Sequence, residues 1–358
     1  MKSFKKIICF AVAAMMILPM AGCGSSNKLL DAIQKTSKVN SYAFNAKVKL
    51  SQKGGNQKEL ANLLSNMNFT LDGKVQQNKD KYVKTDMNIK LNMMGIAVDY
   101  GVLSEVNLDK NNEDYKVFMK LPEFLKSQMP AGSKDFDYLY LGKDSMDKIQ
   151  KELKIKEEQI PEMQTKDMVQ KSTKFQQGFY EFVKTYTDEN GKKIVVDNGN
   201  KDMKVNGKEE KLHMYQIKID NEGLKKFLKA YLKDEKRQKE LTSFLETVDQ
   251  KTSSKKFDVK KALSDIDKMP KIIGDKGIVL EFGIKNGYVA KEILDINLVS
   301  EKSESFSCNV DIDIFDINKD MKIQLPSKKD SKVVDYYDFM KQQMNAQEKL
   351  QKQLKAAQ

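Results

Sequence analysis

Imidazole and thiol chemistry at neutral pH has few carriers in this chain: one histidine, His213, and three cysteines, Cys9, Cys23 and Cys308. His213 alternates with Tyr215, Ile217 and Ile219 on the apolar side of a strand pattern, and a hydrogen-bonded core histidine is favoured there over a catalytic base. A single histidine and a single body cysteine fall short of the usual zinc ligand sets. No nucleophile elbow, phosphate-cradling glycine loop or dinucleotide fingerprint occurs. Asn198, Asn200, Asp202 and Glu209 have the spacing of a calcium loop, but Met203 stands where the sharp turn needs glycine. Asp311 and Asp313 fall on the wet side of a strand pattern and read as solubilising, and nothing singles out a pair of carboxylates for glycoside hydrolysis. The expectation is a non-enzymatic protein with no metal and no cofactor.

Cys23 is the exception, because its neighbours set up a reaction on its thiol. Lys2, Lys5 and Lys6 make a basic start, and Ile7 to Leu18 is an apolar run. That run is too short to span a ~30 Å hydrocarbon core as a helix. Pro19 breaks it, and Ala21 and Gly22 precede Cys23, which is the layout of a secretory signal with a cleavage site. Met20-Ala21-Gly22-Cys23 resembles the lipobox of bacterial lipoproteins, with Met20 where that family most often has leucine. The resemblance implies that the thiol receives a diacylglyceryl group and that residues 1–22 are removed. Two or more acyl chains hold a protein stably on a membrane. Residues 23–27 then form a short tether, and its four residues after Cys23 reach about 14 Å. The expected location is the extracytoplasmic face of the cell membrane.

Export bears on the reading of charge. Removing the leader, with its three lysines and no acid, lowers the formal charge from +12 to +9. Among 63 basic residues only Arg237 is an arginine. Arginine makes the bidentate contacts that read phosphate and base edges, so nucleic acid is not an expected partner. The lysine bias resembles the codon usage of low-GC Gram-positive bacteria. With Cys9 gone and Cys23 acylated, Cys308 has no partner for an intramolecular disulfide. It is expected to be a buried structural thiol, on the side of its strand shared with Phe306, Val310 and Ile312.

The remaining patterns predict an α+β fold. A short helix over Lys28–Lys38 precedes a strand in which Tyr42, Phe44, Ala46, Val48 and Leu50 alternate with polar residues, the period of a half-buried antiparallel strand. Met87, Ile89 and Leu91 alternate in a later strand, and Tyr115 to Leu121 runs up to Pro122. Residues of about 122–177, including Tyr138 to Leu141, read as a cover of short helices and loops. Strands are expected over Phe179–Thr187 and Lys193–Asp197, with Asn190-Gly191 between them. A helical block of about 221–269 carries the stripes Leu224–Leu232 and Leu241–Val248, with Asn221 and Asp258 as helix caps. Asn286-Gly287 marks a hairpin between the strands of Ile278–Ile284 and Tyr288–Val299. Phe306 to Ile314 alternates again, Ile323 and Leu325 end at Pro326, and residues 332–358 form a helical tail. The whole of 28–331 is expected to be one domain: a large curved antiparallel sheet whose concave face is covered by helices.

This arrangement resembles the half-barrel lipoprotein carriers, the LolA/LppX-like group, and the resemblance implies an apolar cavity between sheet and helices. Tyr42, Phe44, Met87, Ile89, Leu91, Tyr215, Phe282 and Ile312 are the candidates to line it. The expected function is a membrane-anchored protein that binds a lipid or another hydrophobic ligand. The alternative is an envelope protein-interaction or structural lipoprotein whose core is filled by the same residues.

Overall fold

The computed structural model describes residues 28–54, 68–78, 81–93, 96–107, 114–123, 126, 135–152, 166–187, 191, 193–248, 258–299 and 304–356. Cys23, the leader, the tether and Asn190 lie outside them. The chain forms α1 (Lys28–Ser37), β1 (Ser41–Lys53), β2 (Asn68–Asn78), β3 (Tyr82–Met93), β4 (Ile96–Asn107), β5 (Tyr115–Lys120), β6 (Tyr138–Gly142) and α2 (Lys143–Glu152). These are followed by α3 (Lys166–Thr185), β7 (Val195–Val205), β8 (Lys208–Ile219), α4 (Asn221–Lys233), α5 (Glu235–Val248) and α6 (Val259–Asp267). The last elements are β9 (Ile273–Lys285), β10 (Tyr288–Val299), β11 (Ser305–Phe315), β12 (Val333–Asp335) and α7 (Tyr336–Ala356).

The fold is α+β. Twelve strands make one open sheet in the order β12-β6-β5-β4-β3-β2-β1-β11-β10-β9-β8-β7. The β12–β6 pair is parallel, and the meander pairs β3–β4, β4–β5, β8–β9, β9–β10 and β10–β11 are antiparallel. Asn206-Gly207 and Asn286-Gly287 turn two of the hairpins, and all four residues have positive φ. A two-residue turn of that hand matches the twist of its flanking strands.

Elements group into two compact units. The first holds α1, the later part of β1, α3 to α6 and β7 to β11. In it Leu224, Phe227, Leu228, Tyr231 and Leu232 form a buried stripe on α4. Phe182 of α3 meets Tyr231 edge-on at 5.0 Å and Phe227 at 5.3 Å. Arg237 of α5 is almost fully buried and donates to Glu181 of α3 at 2.7 Å and to Glu240 at 2.9 Å. On α1, Thr36 donates to Ala32 O and accepts from the Val289 backbone N–H at 2.8 Å, which ties the helix to β10.

The second unit holds the start of β1, most of β2, β3 to β6, α2, β12 and α7. Leu121, Leu139 and Val334 are buried together, with Met119, Tyr336 and Phe339 against them. Lys328 joins Asp144 and Asp335, the latter at 2.9 Å, and its ammonium lies 4.7 Å from the centre of the Tyr140 ring. Those contacts fasten the segment before β12.

Several expectations need correction. Residues 179–185 are the end of helix α3, not a strand. Phe175, Phe179, Phe182 and Tyr186 recur at intervals of three or four, so helical packing onto α4 overrides the β propensity of aromatic residues. Tyr138–Gly142 is the strand β6 rather than part of a cover, since parallel pairing with β12 satisfies its edge. The helix α4 is capped by Asp220, whose carboxylate accepts from the Gly223 N–H at 2.7 Å. Asn221 instead accepts from the N–H groups of Ile272 and Ile273. Asp258 does cap its helix, accepting from Lys261 N–H at 3.0 Å. Ile323 and Leu325 lie in irregular chain, and the tail opens with the three-residue β12 before α7 begins.

Candidate functional site

In the first unit, antiparallel registers line up three transverse rows across β8, β9, β10 and β11. They read Tyr215–Phe282–Glu292–Ile312, Ile217–Leu280–Leu294–Val310 and Ile219–Ile278–Ile296–Cys308. Directly opposed residues of an antiparallel pair point to the same side of the sheet. Twelve side chains from four strands therefore share one face, and only Glu292 among them carries a charge.

Helices cover one end of this face. Leu29 and Ile33 of α1, Phe179 and Val183 of α3, and Leu224 and Phe227 of α4 enclose a cavity against Ile217, Leu280 and Phe282. Its volume is about 40 Å³ and its lining is apolar throughout. An engineered apolar cavity of about 150 Å³ takes benzene, so this one is too small for an acyl chain as it stands. Burial then falls off across the sheet. Phe282 is 1% exposed and Leu280 3%, whereas Phe306, Cys308, Val310 and Ile312 on β11 are all half-buried.

Glu292 stands where the covered end gives way to the half-buried end, between Phe282 and Ile312. Among the described residues it has neither a hydrogen-bond nor an ion-pair partner. Loss of hydration pushes its carboxyl up from 4.5 to about 7. Yet the residue is half-buried rather than sealed. Protein atoms crowd the carboxyl, while part of the residue still meets solvent.

Of the sequence-predicted lining residues, Tyr215, Phe282 and Ile312 fall in a single row, the one that holds Glu292. Only Phe282 of these three borders the 40 Å³ cavity. The other five belong to the second unit. Met87, Ile89 and Leu91 pair with Val102, Tyr100 and Val98 across β3–β4 and are half-buried. Tyr42 and Phe44 are half-buried too, while their neighbours Ser41 and Ala43 are buried. Phe44 serves its neighbour: its ring stands 3.0 Å from where a Cβ on Gly73 would lie. An aromatic ring laid over a strand glycine covers backbone that has no side chain of its own.

Leu294 and Ile296 alternate in phase with Glu292, but β10 bulges between Val289 and Lys291 and again between Ile296 and Leu298, so no single period runs the length of the strand. Strand alternation puts Lys291 on the opposite face from Glu292, and the bulge brings Glu292 onto the side of Val289 upstream. On that opposite face Lys291 is 5% exposed and donates to Asp311 at 2.6 Å and Asp313 at 2.7 Å. Burial works against its charge, but the hydrogen bonds and charges of both carboxylates outweigh this and raise its pKa. Asp311 and Asp313 are therefore ion-pair partners rather than merely solubilising. The turn after β7 closes over them, with Asn206 N–H donating to Asp313 at 2.8 Å.

The other candidates resolve simply. Asn198, Asn200, Asp202 and Glu209, which have calcium-loop spacing, lie in the hairpin strands β7 and β8, and no cluster of three or more metal-binding side chains occurs among the described residues. His213 is partly exposed, not a core residue, with Nε2 2.7 Å from Asp197 Oδ1 and its ring 5.0 Å from that of Tyr215. Cys308 is half-buried, short of the full burial expected, because β11 lies away from the helices that line the cavity; burial, with a smaller effect from Asp295, raises its thiol pKa. No helix among the described residues is long and apolar enough to cross a membrane. No family model, no curated protein and no solved structure matches this chain.

Proposed function

We propose that this is a lipid-anchored protein of the extracytoplasmic membrane face that holds a long apolar molecule without transforming it. The observation that carries this reading is the shared face of the three rows, sealed by helices over β8 and β9 and half-buried along β11. Each methylene moved from water onto such a surface contributes about 0.8 kcal/mol, so a chain of ten or so carbons needs little polar recognition. The leader and the lipobox-like sequence ending at Cys23 support attachment to the membrane. A short tether would keep the apolar face within reach of bilayer lipids.

Two measurements test the proposal. Organic extraction and mass spectrometry of protein purified from its own membrane should recover a stoichiometric long-chain lipid. Cys23→Ala should leave the protein as an unprocessed precursor or release it from the membrane fraction. Unchanged fractionation and mature mass in that variant would remove the anchor from the proposal.

One observation favours a second reading. The enclosed space is only about 40 Å³, as expected of a filled core in an envelope interaction protein. Recovery of no lipid, together with no saturable binding of a fluorescent long-chain alcohol, would decide for that reading.

A further inference from the structure

We propose that Glu292 is a head-group site, and that the molecule held on this face is a single-chain amphiphile with a cationic amine head. The inference rests on the ligand-binding reading above and adds the chemical class of the ligand. It starts from the position of one carboxylate. Glu292 is the only charged residue among the twelve side chains of the three rows, and no described side chain pairs with it. A carboxylate without a partner on an apolar face costs folding free energy unless something completes it.

The surroundings select the partner. Phe282 on one side and Ile312 on the other offer no donor. Lys291, next in sequence, is turned to the opposite face and committed to Asp311 and Asp313. A ligand cation would therefore meet no competing ammonium from its own row. A neutral hydroxyl could also donate to the carboxylate, but a cation gains charge-assisted hydrogen bonding on a partly desolvated face. A fatty acid would bring a second carboxylate against the first and is disfavoured. From Glu292, the chain has apolar neighbours in two directions: toward Phe282 and the helix-covered cavity, or along β11 over Val310 and Cys308.

The test uses the full lipid-anchored protein reconstituted in phosphatidylcholine vesicles, with protein-free vesicles as background. Radiolabelled dodecylamine, dodecanol and dodecanoic acid are titrated separately at pH 8. There the amine is charged and the glutamate is ionised. The amine should bind about tenfold more tightly than the alcohol, and the acid more weakly than either. Glu292→Gln, which keeps the side-chain shape, should abolish the preference for the amine while leaving dodecanol binding within about threefold. Glu292→Leu should bind dodecanol at least as well as the wild type. Equal binding of amine and alcohol by the wild type would overturn the head-group site while leaving the apolar site standing. A preference that survives in Glu292→Gln would do the same. Saturable binding of none of the three would overturn the apolar site and the head-group site together.

Discussion

A Cβ on Gly178 would lie 1.8 Å from the Oε2 of Glu240. That separation is possible only for glycine, and it lets α5 bring its carboxylate against α3. Glu240 and Arg237 are both 8% exposed in their side chains, and the same guanidinium reaches Glu181 on α3. Gly178→Ala gains about 1 kcal/mol of helix propensity. Against that, it pushes Glu240 from a buried ion pair whose loss of one partner costs about 3–5 kcal/mol. Glu181 still holds Arg237, so we expect a net loss of about 1–3 kcal/mol by urea denaturation. A stabilised variant would show that Glu240 swings clear without penalty.

On the opposite face of the sheet, Lys291→Met should leave Asp311 and Asp313 without their shared cation. Asp311 is 39% exposed and Asp313 17%, so solvent softens the cost, and about 2–3 kcal/mol at pH 7 is expected. Adding Asp311→Asn to this variant should recover part of the loss, because one carboxylate no longer faces another without a cation. Strictly additive losses for Lys291→Met and Asp311→Asn would count against the pairing.

Glu292 makes stability depend on pH. Its carboxyl binds a proton more tightly in the folded state than in the unfolded one, with a pKa raised from 4.5 to about 7. Stability from this group is therefore present at low pH and is lost as pH rises from 4.5 through 7. The loss is of order 2–3 kcal/mol. Glu292→Gln does not titrate there. In ligand-free protein it should match the wild type near pH 4.5 and exceed it by about 2 kcal/mol at pH 8. Parallel stability curves for the two proteins would place Glu292 in water.

The residues that were legible in the sequence are those whose pattern needs no knowledge of a neighbour. Alternation at Tyr215–Ile219 and Ile278–Ile284, the stripe of α4 and the Asn286-Gly287 turn are local properties, and each forms the expected element. Phe179 to Tyr186 went the other way because four aromatic residues in a short segment suit a strand until α4 is there to receive them. Tyr138 to Leu141 is too short to declare itself; β5 pairs with one edge, but the partner on its other edge, β12, lies almost 200 residues later, at Val333. A one-residue bulge after Val289 breaks the period of β10, and Glu292 shares its side with Val289 as well as with Leu294 and Ile296. Pairing register, not composition, turned an ordinary charged residue into the centre of the candidate site.

The division of the shared face into a sealed end and a half-buried end can be tested with one bulky residue placed at each. Leu280 is 3% exposed and borders the 40 Å³ cavity. That space does not accept an indole in place of an isobutyl group, so Leu280→Trp should overpack and cost about 1–3 kcal/mol or more. Ile312 is half-buried on β11, two strands away. There the added ring can lie over the sheet, and Ile312→Trp should change stability by less than about 1 kcal/mol. The chain has no tryptophan of its own, so the single indole in each variant also reports its surroundings by fluorescence. At position 312 its emission should shift to the blue when a long-chain ligand binds, and binding should weaken because the ring fills part of the surface. At position 280 the emission should be blue-shifted from the start and indifferent to ligand. If Ile312→Trp destabilises as much as Leu280→Trp and no ligand moves its emission, the β11 end is as tightly packed as the rest. The filled-core reading would then account for the whole face.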